Sequence, residues 1–583
     1  MAASLAVLPD RRPRPRARWV LPASPDPALV GALAGELRLP EPVCRLLVAR
    51  GYGAGESARR FLRPRLDQLH PPGSLGGLDD AVRRLARAVR GGETILVHGD
   101  YDVDGICSTT LLTRALRGFG GRVVPFIPRR VEDGYDLGDA GVRAARAAGA
   151  AVVVTCDCGT SALAPVAALC AAGVDVIVSD HHLPGGPLPQ CLAVLNPKRP
   201  GCDYPDKDLA AVGVAFKLAL ALARELGANE NPVYGMLDLV ALATIADIAP
   251  LRGENRVFAR YGLKLLQESK NPGVRALVRA AGLDGKALTA GRVGYILAPR
   301  LNAVGRLGRA IRGVELLTTE SESEANGIAR ELEELNRQRQ ELDRATQREA
   351  MALVDRLDLD ATYGLVLASE RWHPGVIGIV ASRVVEETGR PTIMVALQDG
   401  EGKGSGRSIS ALDLHGALGE CRDLLVRFGG HRAAVGITIR ADRLAEFGER
   451  FNAVVRARLA ADDLVGELRV DLELPLDAAN DELETLFRHF EPFGMGNPAP
   501  TLLSRGVTLA GPPRPVGQDG LRFRFRVERG ELEGIAWGMA ARLPELDPAS
   551  PVDLLYRLER DDYRGADRLQ ARVVDLRPST DAR

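Results

Sequence analysis

The stretch ILVHGDYDVDG, residues 95–105, ends an apolar run in one histidine and three aspartates. Further apolar runs that end in a carboxylate or an imidazole are VVVTCDCG (152–159), VIVSDHH (176–182) and LATIADIA (242–249). Apolar runs that are too short for a helix and show no alternation are typical of strands buried on both faces of a parallel sheet. Because ligands bind in the crevice outside the carboxyl ends of such strands, these acids and imidazoles are expected to converge. The pattern predicts a metal site.

Strand and helix patterns alternate between Glu93 and Asp180. The predicted strands lie near 94–98, 122–127, 151–156 and 174–179, and helix-like runs lie near 106–118, 138–148 and 160–172. These spacings suit right-handed βαβ crossovers. The sequence therefore predicts an α/β domain with a doubly wound parallel sheet, completed by the mostly helical residues 209–280.

At 583 residues, the chain is too long for a single hydrophobic core. Residues 319–357 are free of proline and highly charged, which indicates one long helix. Short strand patterns follow near 362–369, 391–397 and 436–440, and alternating segments with Gly/Pro turns begin near 464. The predicted regions are an N-terminal cap (1–90), a catalytic α/β domain (91–318), a connecting helix (319–357), a smaller α/β domain (358–463) and a small C-terminal β-barrel or sandwich (464–583).

Composition excludes a few classes of protein. The apolar fraction is 46%, and no run approaches the roughly 18 apolar residues of a membrane span. The first residues make a poor secretory signal, and the eight scattered cysteines suit a reduced compartment, so we expect a cytoplasmic protein. Cys156 and Cys158 flank Asp157 and are expected to fill space beside a strand. The net charge of zero does not by itself indicate a polyanionic partner.

The segment HGDYDVDG carries alternating polar side chains. In an extended segment, His98 and the acids at 100, 102 and 104 would lie on one side. Asp157, His181 and Asp247 would supply the remaining ligands. A mixed set of carboxylates and imidazoles favours Mn²⁺ or Mg²⁺ over soft metals. The alternative is that one of these acids, such as Asp104, caps the helix that comes after it, which cannot account for all six.

The triplet Asp180, His181 and His182 is a sharper signal than a single acid. One ring can bind a metal while its neighbour faces a phosphate. Asp180 can orient an imidazole from behind, as hydrogen-bonded carboxylates do around metal sites. We therefore predict that the triplet lies at the centre of the site.

Together these motifs resemble the DHH phosphoesterase family and, within it, the RecJ-type single-strand-specific exonucleases. The resemblance extends from about residue 90 to about 500 through PRLNAVGR (299–306), HPGVIGIVASR (373–383), GSGRS (404–408), FGGHRAAVG (428–436) and PFGMGNPAP (492–500). It implies a DHH domain and a DHHA1 domain joined by the long helix, with an oligonucleotide-binding fold after them. It also implies hydrolysis of single-stranded DNA from the 5′ end in recombination and repair.

The resemblance also implies roles for single residues. Two ions, Mn²⁺ or Mg²⁺, would be held by His98, Asp102, Asp104, Asp157, His181 and Asp247, with Asp157 bridging them. His182 would lie close to the scissile phosphate, and Asp180 would support the catalytic group. Asp100 is expected to contact the ligands without binding an ion itself.

Other residues are candidates for substrate binding. Ser405 and Arg407 would recognise the 5′ phosphate together with Arg129, while Ser408 and His431 would face the same ligand. For the Gly-rich GSGRS segment the alternative is a surface turn. Arg300, Asn302 and Arg306 would lie over the DNA path, unless they form a solvated loop or a structural ion pair.

The segment RFRFRV (522–527) alternates arginine with phenylalanine, so its rings either stack on bases or pack in a core. The expected partner is single-stranded DNA, with a helicase and a single-strand-binding protein as further partners and no membrane. The basic start, Arg11–Arg18, either contacts DNA or is disordered. Two rival functions are a phosphodiesterase for short oligonucleotides or cyclic dinucleotides, and a catalytically silent DNA-binding scaffold.

Overall fold

A computed structural model describes residues 17–130, 132–528, 530–561 and 567–579. Most of the basic start, Arg11–Arg16, lies outside the described residues. The chain forms two compact units. One contains residues 21–333 and 469–583, and the other contains residues 334–468 with the described residues 17–20.

The N-terminal region does not form a core of its own. Its elements are β1 (Arg18–Val20), α1 (Pro27–Leu37), α2 (Glu41–Ala49), α3 (Gly55–Leu62) and α4 (Leu78–Gly91). The apolar residues Val43, Leu46 and Leu47 of α2 share one hydrophobic cluster with Phe490 and Tyr556 from the far end of the sequence. Helices α1 to α3 are therefore part of the C-terminal core, a long-range contact that local sequence patterns do not report.

The predicted parallel sheet is confirmed. Its elements are β2 (Thr94–Gly99), α5 (Val103–Gly118), β3 (Arg122–Phe126), α6 (Asp139–Ala147), β4 (Val152–Cys156), α7 (Leu163–Ala171), β5 (Asp175–Ser179) and β6 (Ala193–Leu195). All neighbours are parallel in the order β3-β2-β4-β5-β6. The strand order reverses between β2 and β4, which is where such sheets bind ligands. The sequence analysis did not predict β6, because a strand of three residues is too short to show a recognisable hydrophobic pattern.

Helices complete this domain. They are α8 (Ala211–Glu225), α9 (Asn231–Tyr234), α10 (Leu237–Ala246), α11 (Gly253–Gln267), α12 (Pro272–Ala280), α13 (Ala290–Arg292), a π-helical turn (Val293–Leu297), α14 (Ala298–Leu307) and α15 (Ile311–Thr318). Helices α5 and α8 contact the sheet, while residues of α6 and α7 pack with β2, β4 and β5 in one apolar cluster. The interpretation of LATIADIA as a strand was wrong, since it ends α10. That helix is buried all round, so it shows no polar face that would distinguish it from a buried strand.

The predicted long helix is present as α16 (Glu322–Val354). It is slightly shorter than residues 319–357, and the boundary between the two units falls inside it. None of the helices in the described part of the chain is both long and apolar enough to cross a bilayer.

The second unit contains a five-stranded sheet in the order β10-β11-β9-β8-β7. Its elements are β7 (Leu365–Ser369), α17 (Ile377–Thr388), β8 (Thr392–Gln398), β9 (Glu401–Arg407), α18 (Leu414–Gly419), β10 (Arg427–His431), β11 (Ala434–Arg440) and α19 (Leu444–Arg458). The alternative of a surface turn for GSGRS (404–408) was wrong, because Gly404 to Arg407 lie in β9. A Cβ at Gly404 would lie 2.5 Å from Ile437 Cγ1, so neighbouring apolar side chains fill the space that a larger residue would need.

The C-terminal elements are β12 (Glu467–Arg469), β13 (Leu472–Glu473), α20 (Asp481–Arg488), β14 (Leu502–Val507), β15 (Arg514–Val516), β16 (Gly520–Val527), β17 (Gly530–Ala536), β18 (Val552–Asp561) and β19 (Arg568–Pro578). Strands β13 to β19 build a mixed seven-stranded sheet in the order β13-β14-β18-β19-β17-β16-β15, and β12 pairs with β1. In β16, Phe523 and Phe525 are buried and stacked on each other, and the intervening arginines are exposed. The phenylalanines of RFRFRV therefore pack in the core and are not available to stack on bases.

Arg256 of α11 joins the catalytic domain to this C-terminal domain. Its guanidinium donates hydrogen bonds to the carbonyl oxygens of Phe61 and Phe490, each at 2.8 Å, and of Glu491 at 2.9 Å. It also lies 4.0 Å from the centre of the Phe61 ring. A planar fork with five donors is suited to satisfying several carbonyls at once, so this buried charge holds three segments together.

Candidate metal centre

The polar residues that come after β2, β4 and β5 meet where the strand order reverses. Strand β2 ends at Gly99 and is followed by Asp100, β4 is followed by Asp157, and β5 is followed by Asp180. Parallel strands present their carboxyl ends at one edge of the sheet, so these side chains leave the sheet side by side. The predicted convergence is observed.

The segment after β2 is not extended throughout, so the simple alternation of its side chains fails. Asp102 is the N-cap of α5, where its carboxylate accepts hydrogen bonds from the backbone N–H groups of Asp104 and Gly105 at 2.9 and 3.1 Å. Asp104 already lies in the first turn. The acid that caps α5 is thus Asp102 and not Asp104, the candidate that the sequence offers for that role.

Asp104 instead caps a different helix. Its two carboxylate oxygens accept hydrogen bonds from the backbone N–H groups of Ala211 and Val212 at 2.7 and 2.9 Å, at the start of α8. The carboxylate also accepts a hydrogen bond from the Ser108 hydroxyl at 3.3 Å. These bonds fix its orientation. Oδ1 accepts two of them, whereas Oδ2 accepts one and keeps a lone pair for a cation.

Asp157 and His181 form the centre of the site. Asp157 adopts a left-handed backbone conformation with φ of 67°, which is uncommon for a residue other than glycine and is a form of strain concentrated at functional sites. Its Oδ1 lies 3.2 Å from His181 Nε2. Both atoms are buried, yet neither has a hydrogen-bond partner among the described residues.

The tautomer of His181 explains this pair. Its Nδ1 lies 3.1 Å from the carbonyl oxygen of Leu209 and must donate to it, which leaves a lone pair on Nε2. Burial and the neighbouring charge of His182 lower the pKa of His181 to about 3, so the ring is neutral. A lone pair that faces a carboxylate oxygen in a buried site is unfavourable unless a metal cation or a proton lies between them.

Asp247 reaches the same place from the end of α10. Its Oδ2 lies 3.8 Å from His181 Nε2, and the next residue, Ile248, also has a positive φ, of 59°. Asp104 Oδ2 lies 4.0 Å from the same nitrogen. His181 therefore has carboxylate oxygens from three separate parts of the chain around one ring atom.

In the part of the chain that the structure describes, three overlapping groups of three side chains have ligand atoms within 4.8 Å of one another. They are Asp157, His181 and His182; Asp104, His181 and Asp247; and Asp100, Asp102 and Asp157. Oxygen and imidazole ligands without thiolate suit Mn²⁺ or Mg²⁺. The residues present therefore fit a pair of such ions, with Asp157 in two of the groups.

Asp100 and His98 stand differently with respect to these groups. Asp100, expected behind the ligands, has a carboxylate oxygen within 4.8 Å of ligand atoms of Asp102 and Asp157. His98, expected as a ligand, is in none of these groups; its Nδ1 lies 3.5 Å from Cys158 Sγ, and its buried Nε2 has no hydrogen-bond partner among the described residues. Burial lowers the pKa of His98 to about 4, so the ring is neutral and can bind a metal.

The buried carboxylates repel one another, and this repulsion raises their pKa values. Burial, together with the charge of Asp102, raises the pKa of Asp104 to about 7, and burial with the charge of Asp104 raises that of Asp247 to about 8. The pKa of Asp157 is raised by the same causes. Without cations these groups compete for protons, whereas divalent ions would neutralise them.

His182 behaves differently from its neighbour. Its Nδ1 lies 2.8 Å from Asp180 Oδ1, and its Nε2 lies 3.3 Å from the hydroxyl of Tyr135. Burial alone would lower its pKa, but the hydrogen bond and charge of Asp180 outweigh burial and raise it to about 9. Asp180 thus orients a protonated imidazole, in agreement with the predicted arrangement of the triplet.

The residues of PRLNAVGR lie on helix α14 rather than in a loop. Arg300 is paired with Glu333, with Nη2 and Oε1 3.2 Å apart, and Asn302 accepts a hydrogen bond from Val103 N at 3.1 Å. A Cβ at Gly305 would lie 2.1 Å from Tyr101 O, so the helix packs directly against the loop that carries Asp100 and Asp102. Arg300 and Asn302 therefore have structural contacts, while the charge of Arg306 acts on Tyr101.

The other predicted substrate residues lie elsewhere. Arg129 is exposed and paired with Glu132 at 2.5 Å. In the second unit, Arg407 Nη1 donates to Ser405 Oγ at 3.1 Å, and Ser408 Oγ donates to Leu412 O at 3.0 Å. His431 ends β10 and is exposed.

Sequence reasoning missed three residues that support the site. Tyr135 contacts His182, Asp136 accepts a hydrogen bond from Gly159 N at 2.6 Å, and Asn196 Nδ2 donates to His182 O at 2.8 Å. Tyr135 and Asp136 lie in the segment after β3, and Asn196 comes directly after β6. The signal that could have revealed them is their position after predicted or expected strand ends.

Family models agree with this organisation. The model described as "DHH family, N-terminal domain" matches residues 94–244, the "DHHA1 domain" matches residues 361–457, and the "RecJ OB domain" matches residues 470–575. These ranges correspond to the parallel-sheet domain, the second sheet and the C-terminal mixed sheet.

Relatives match over nearly the whole chain. The chain is 37% identical to the single-stranded-DNA-specific exonuclease RecJ of Dickeya dadantii, over 98% of this chain and 100% of that protein. It is 36% identical to the protein of the same name from Escherichia coli, over 93% of this chain and 96% of that one.

Among solved structures, RecJ of Thermus thermophilus in complex with Mn²⁺ superposes with a TM-score of 0.83 at 33% identity, covering 96% of this chain and 80% of that one. A structure described as exonuclease RecJ bound to manganese gives a TM-score of 0.60 at 39% identity, covering 68% of this chain and 98% of that one.

Proposed function

Because the chain belongs to the RecJ family of single-stranded-DNA-specific exonucleases, we propose that it hydrolyses single-stranded DNA from the 5′ end with two Mn²⁺ or Mg²⁺ ions, in DNA recombination and repair. The observation that supports this most strongly is the meeting of carboxylates and imidazoles around Asp157 and His181. A silent scaffold would not be expected to keep buried, mutually repelling acids, because they cost stability.

We propose that the ions are held by His98, Asp102, Asp104, Asp157, His181 and Asp247, with Asp100 beside them. When bound, two divalent ions supply Lewis-acid activation of water and of the phosphodiester. The protein fixes the orientation of the ligands before the ions bind. Backbone N–H groups at two helix starts hold Asp102 and Asp104, and Leu209 O fixes the tautomer of His181.

His182 is the proposed hydrogen-bond donor to the scissile phosphate. Asp180 keeps the ring protonated on Nδ1, so Nε2 presents an N–H towards the open side of the site, where it meets Tyr135. A preoriented cationic donor stabilises negative charge that develops on phosphoryl oxygens in the transition state.

Strand specificity tests the proposed function. With Mn²⁺, we expect the protein to release mononucleotides from a 5′-labelled single strand. A blunt duplex of the same sequence should react at least about tenfold more slowly, because proteins that bind single strands contact bases that are paired and stacked in a duplex. Chelator should stop the reaction. Equal cleavage of both substrates, or full activity in chelator, would contradict the proposal.

We propose that Ser405 and Arg407 bind the terminal 5′ phosphate. Both side chains leave β9 on the face opposite Gly404 and Gly406, and a Cβ at Gly378 would lie 2.9 Å from Ser405 Oγ, so the first turn of α17 approaches them closely. A guanidinium beside the N-terminal turn of a helix suits a phosphate. By the family resemblance, Arg129, Ser408 and His431 are further candidates.

Arg407→Met is expected to remove most of the preference for a strand with a 5′ phosphate over one with a 5′ hydroxyl, a change on the order of tenfold in kcat/KM. The comparison is kinetic, with both substrates on each variant. Arg422→Met, which removes an exposed arginine from the same domain, is the control and should keep the preference. Loss of activity on both substrates in equal proportion would argue against a phosphate-binding role.

Single-stranded DNA is the proposed macromolecular partner, and the exposed arginines of β16 provide positive charge for it outside the metal centre. A helicase and a single-strand-binding protein are proposed as further partners, and the cytoplasm as the compartment, on the family resemblance alone.

A further inference from the structure

Lys198 lies beside the metal centre and has no role in the function proposed so far. It comes shortly after β6, the edge strand of the parallel sheet, in the sequence Leu195-Asn196-Pro197-Lys198. The carboxyl end of β6 lies on the same side of the sheet as the ends of β2, β4 and β5, because all these strands are parallel. Lys198 thus leaves the sheet at the edge where the ligands converge.

The buried side-chain amide of Asn196 links Lys198 to the triplet Asp180, His181 and His182. Asn196 is fully buried, and its Nδ2 donates hydrogen bonds to His182 O at 2.8 Å and to Thr160 Oγ1 at 3.0 Å. Its Oδ1 accepts a hydrogen bond from Lys198 N at 2.8 Å. The backbone of Lys198 is therefore held in fixed relation to the backbone of His182.

The ammonium group of Lys198 forms no salt bridge with the residues that the structure describes. Lys217, the buried lysine of α8, is paired with Glu254 at 2.6 Å. In contrast, no carboxylate in the described part of the chain lies within 4.0 Å of the Lys198 ammonium, although the side chain is half-buried. A half-buried cation without a partner is costly, so an anion that binds beside it gains more than it would at an exposed lysine.

Sheet topology places Lys198 on one side of the centre. Strand β6 is the neighbour of β5, and β5 is followed directly by the triplet Asp180, His181 and His182. Lys198, which comes shortly after β6, therefore leaves the sheet on the His181 and His182 side of the centre.

We propose that Lys198 binds a phosphate of the DNA strand, the one next to the scissile phosphate, and that Asn196 is the residue that positions it. The inference rests on the proposed exonuclease function. The scissile phosphate is expected to bind at the metal ions. The Lys198 ammonium lies to one side of the metal ligands, so it can contact the neighbouring phosphate of the strand. A lysine acts there as a compact point charge on a flexible stem, which suits a backbone that moves after every cleavage.

Neutral backbone linkages test this contact directly. Cleavage of the first nucleotide is measured as kcat/KM with Mn²⁺, on strands that carry one methylphosphonate at the second or at the third linkage from the 5′ end. For the unmodified protein, we expect a loss on the order of tenfold at the second linkage, since one phosphate contact is removed. Lys198→Met should cost a similar factor on the normal strand and should show no further loss with the neutral second linkage.

Two control variants separate this result from a structural effect. Lys198→Arg keeps the charge and should recover most of the activity, and Lys264→Met, which removes an exposed lysine of α11, should behave like the unmodified protein. If Lys198→Met matches the unmodified protein on every strand, or keeps the full penalty at the neutral second linkage, the inference is wrong. If the unmodified protein does not cleave single-stranded DNA, the proposed function fails instead.

Discussion

Asp157→Asn is expected to lower kcat/KM on single-stranded DNA by roughly 10⁴-fold or more, the scale of losing a central catalytic group. Asp157 belongs to two of the three ligand groups, and its Oδ1 faces the lone pair of His181 Nε2 at 3.2 Å. An amide cannot supply the charge that two divalent ions need there. Asparagine is the appropriate replacement because it tolerates the left-handed backbone at this position, whereas alanine would add strain.

The same variant should be more stable than the unmodified protein in the absence of metal, by about 1–2 kcal/mol near neutral pH. The pKa of Asp157 is raised in the folded state by burial and by Asp102 and Asp104. The folded state therefore binds more protons than the unfolded state above the usual pKa of an aspartate, and its stability falls as the pH rises. The gain from Asp157→Asn should shrink as the pH is lowered towards that range.

Denaturant unfolding in chelator measures this gain, and repetition with Mn²⁺ should reduce or reverse it, because only the unmodified protein gains the full binding energy. Asp139→Asn, which alters an acid in the first turn of α6, is a control that should change neither activity nor stability strongly. Substantial activity in Asp157→Asn, with Mn²⁺ stabilising both proteins equally, would overturn the assignment of this residue.

His182→Ala is expected to lower kcat by on the order of 10²–10³-fold, the range found for a donor that stabilises developing negative charge. The ring is held by Asp180 at 2.8 Å and presents its other nitrogen to Tyr135. Asp180→Asn should cost less, because it weakens the orientation and charge of the ring but leaves the donor in place. Single-turnover rates with saturating DNA measure the chemical step.

Metal affinity must be measured on the same variants, because His182 Nδ1 is also close to Asp157 Oδ1, at 3.8 Å. A donor role predicts nearly unchanged Mn²⁺ binding with a large loss of rate. A loss of Mn²⁺ binding that matches the loss of rate would make His182 a ligand instead. His489→Ala, at an exposed histidine of the C-terminal domain, should leave both quantities unchanged.

Local patterns predict much of the catalytic domain. Runs such as ILV and VVV before an acid predict buried parallel strands, and β2, β4 and β5 occur where expected. The position of the triplet Asp180, His181 and His182 is predicted correctly because the end of β5 fixes where the next residues lie. Errors arise where the local pattern is ambiguous. Helix α10 is buried on all sides, so it lacks the polar face that identifies a helix. Strand β9 contains glycines because side chains of neighbouring strands fill the space beside them, and glycines are also typical of turns.

The sequence by itself determined which residue types carry the chemistry, because hydrophobic periodicity and strand ends are encoded within a few neighbouring residues. Only the tertiary structure decided which of them lie within 4.8 Å of one another and which cap a helix. Asp100 comes close to Asp102 and Asp157, Asp104 caps α8, and His98 lies beside Cys158. These outcomes depend on distances between parts of the chain that lie 50 to 150 positions apart, roughly the span of several βαβ units, and no local pattern specifies them.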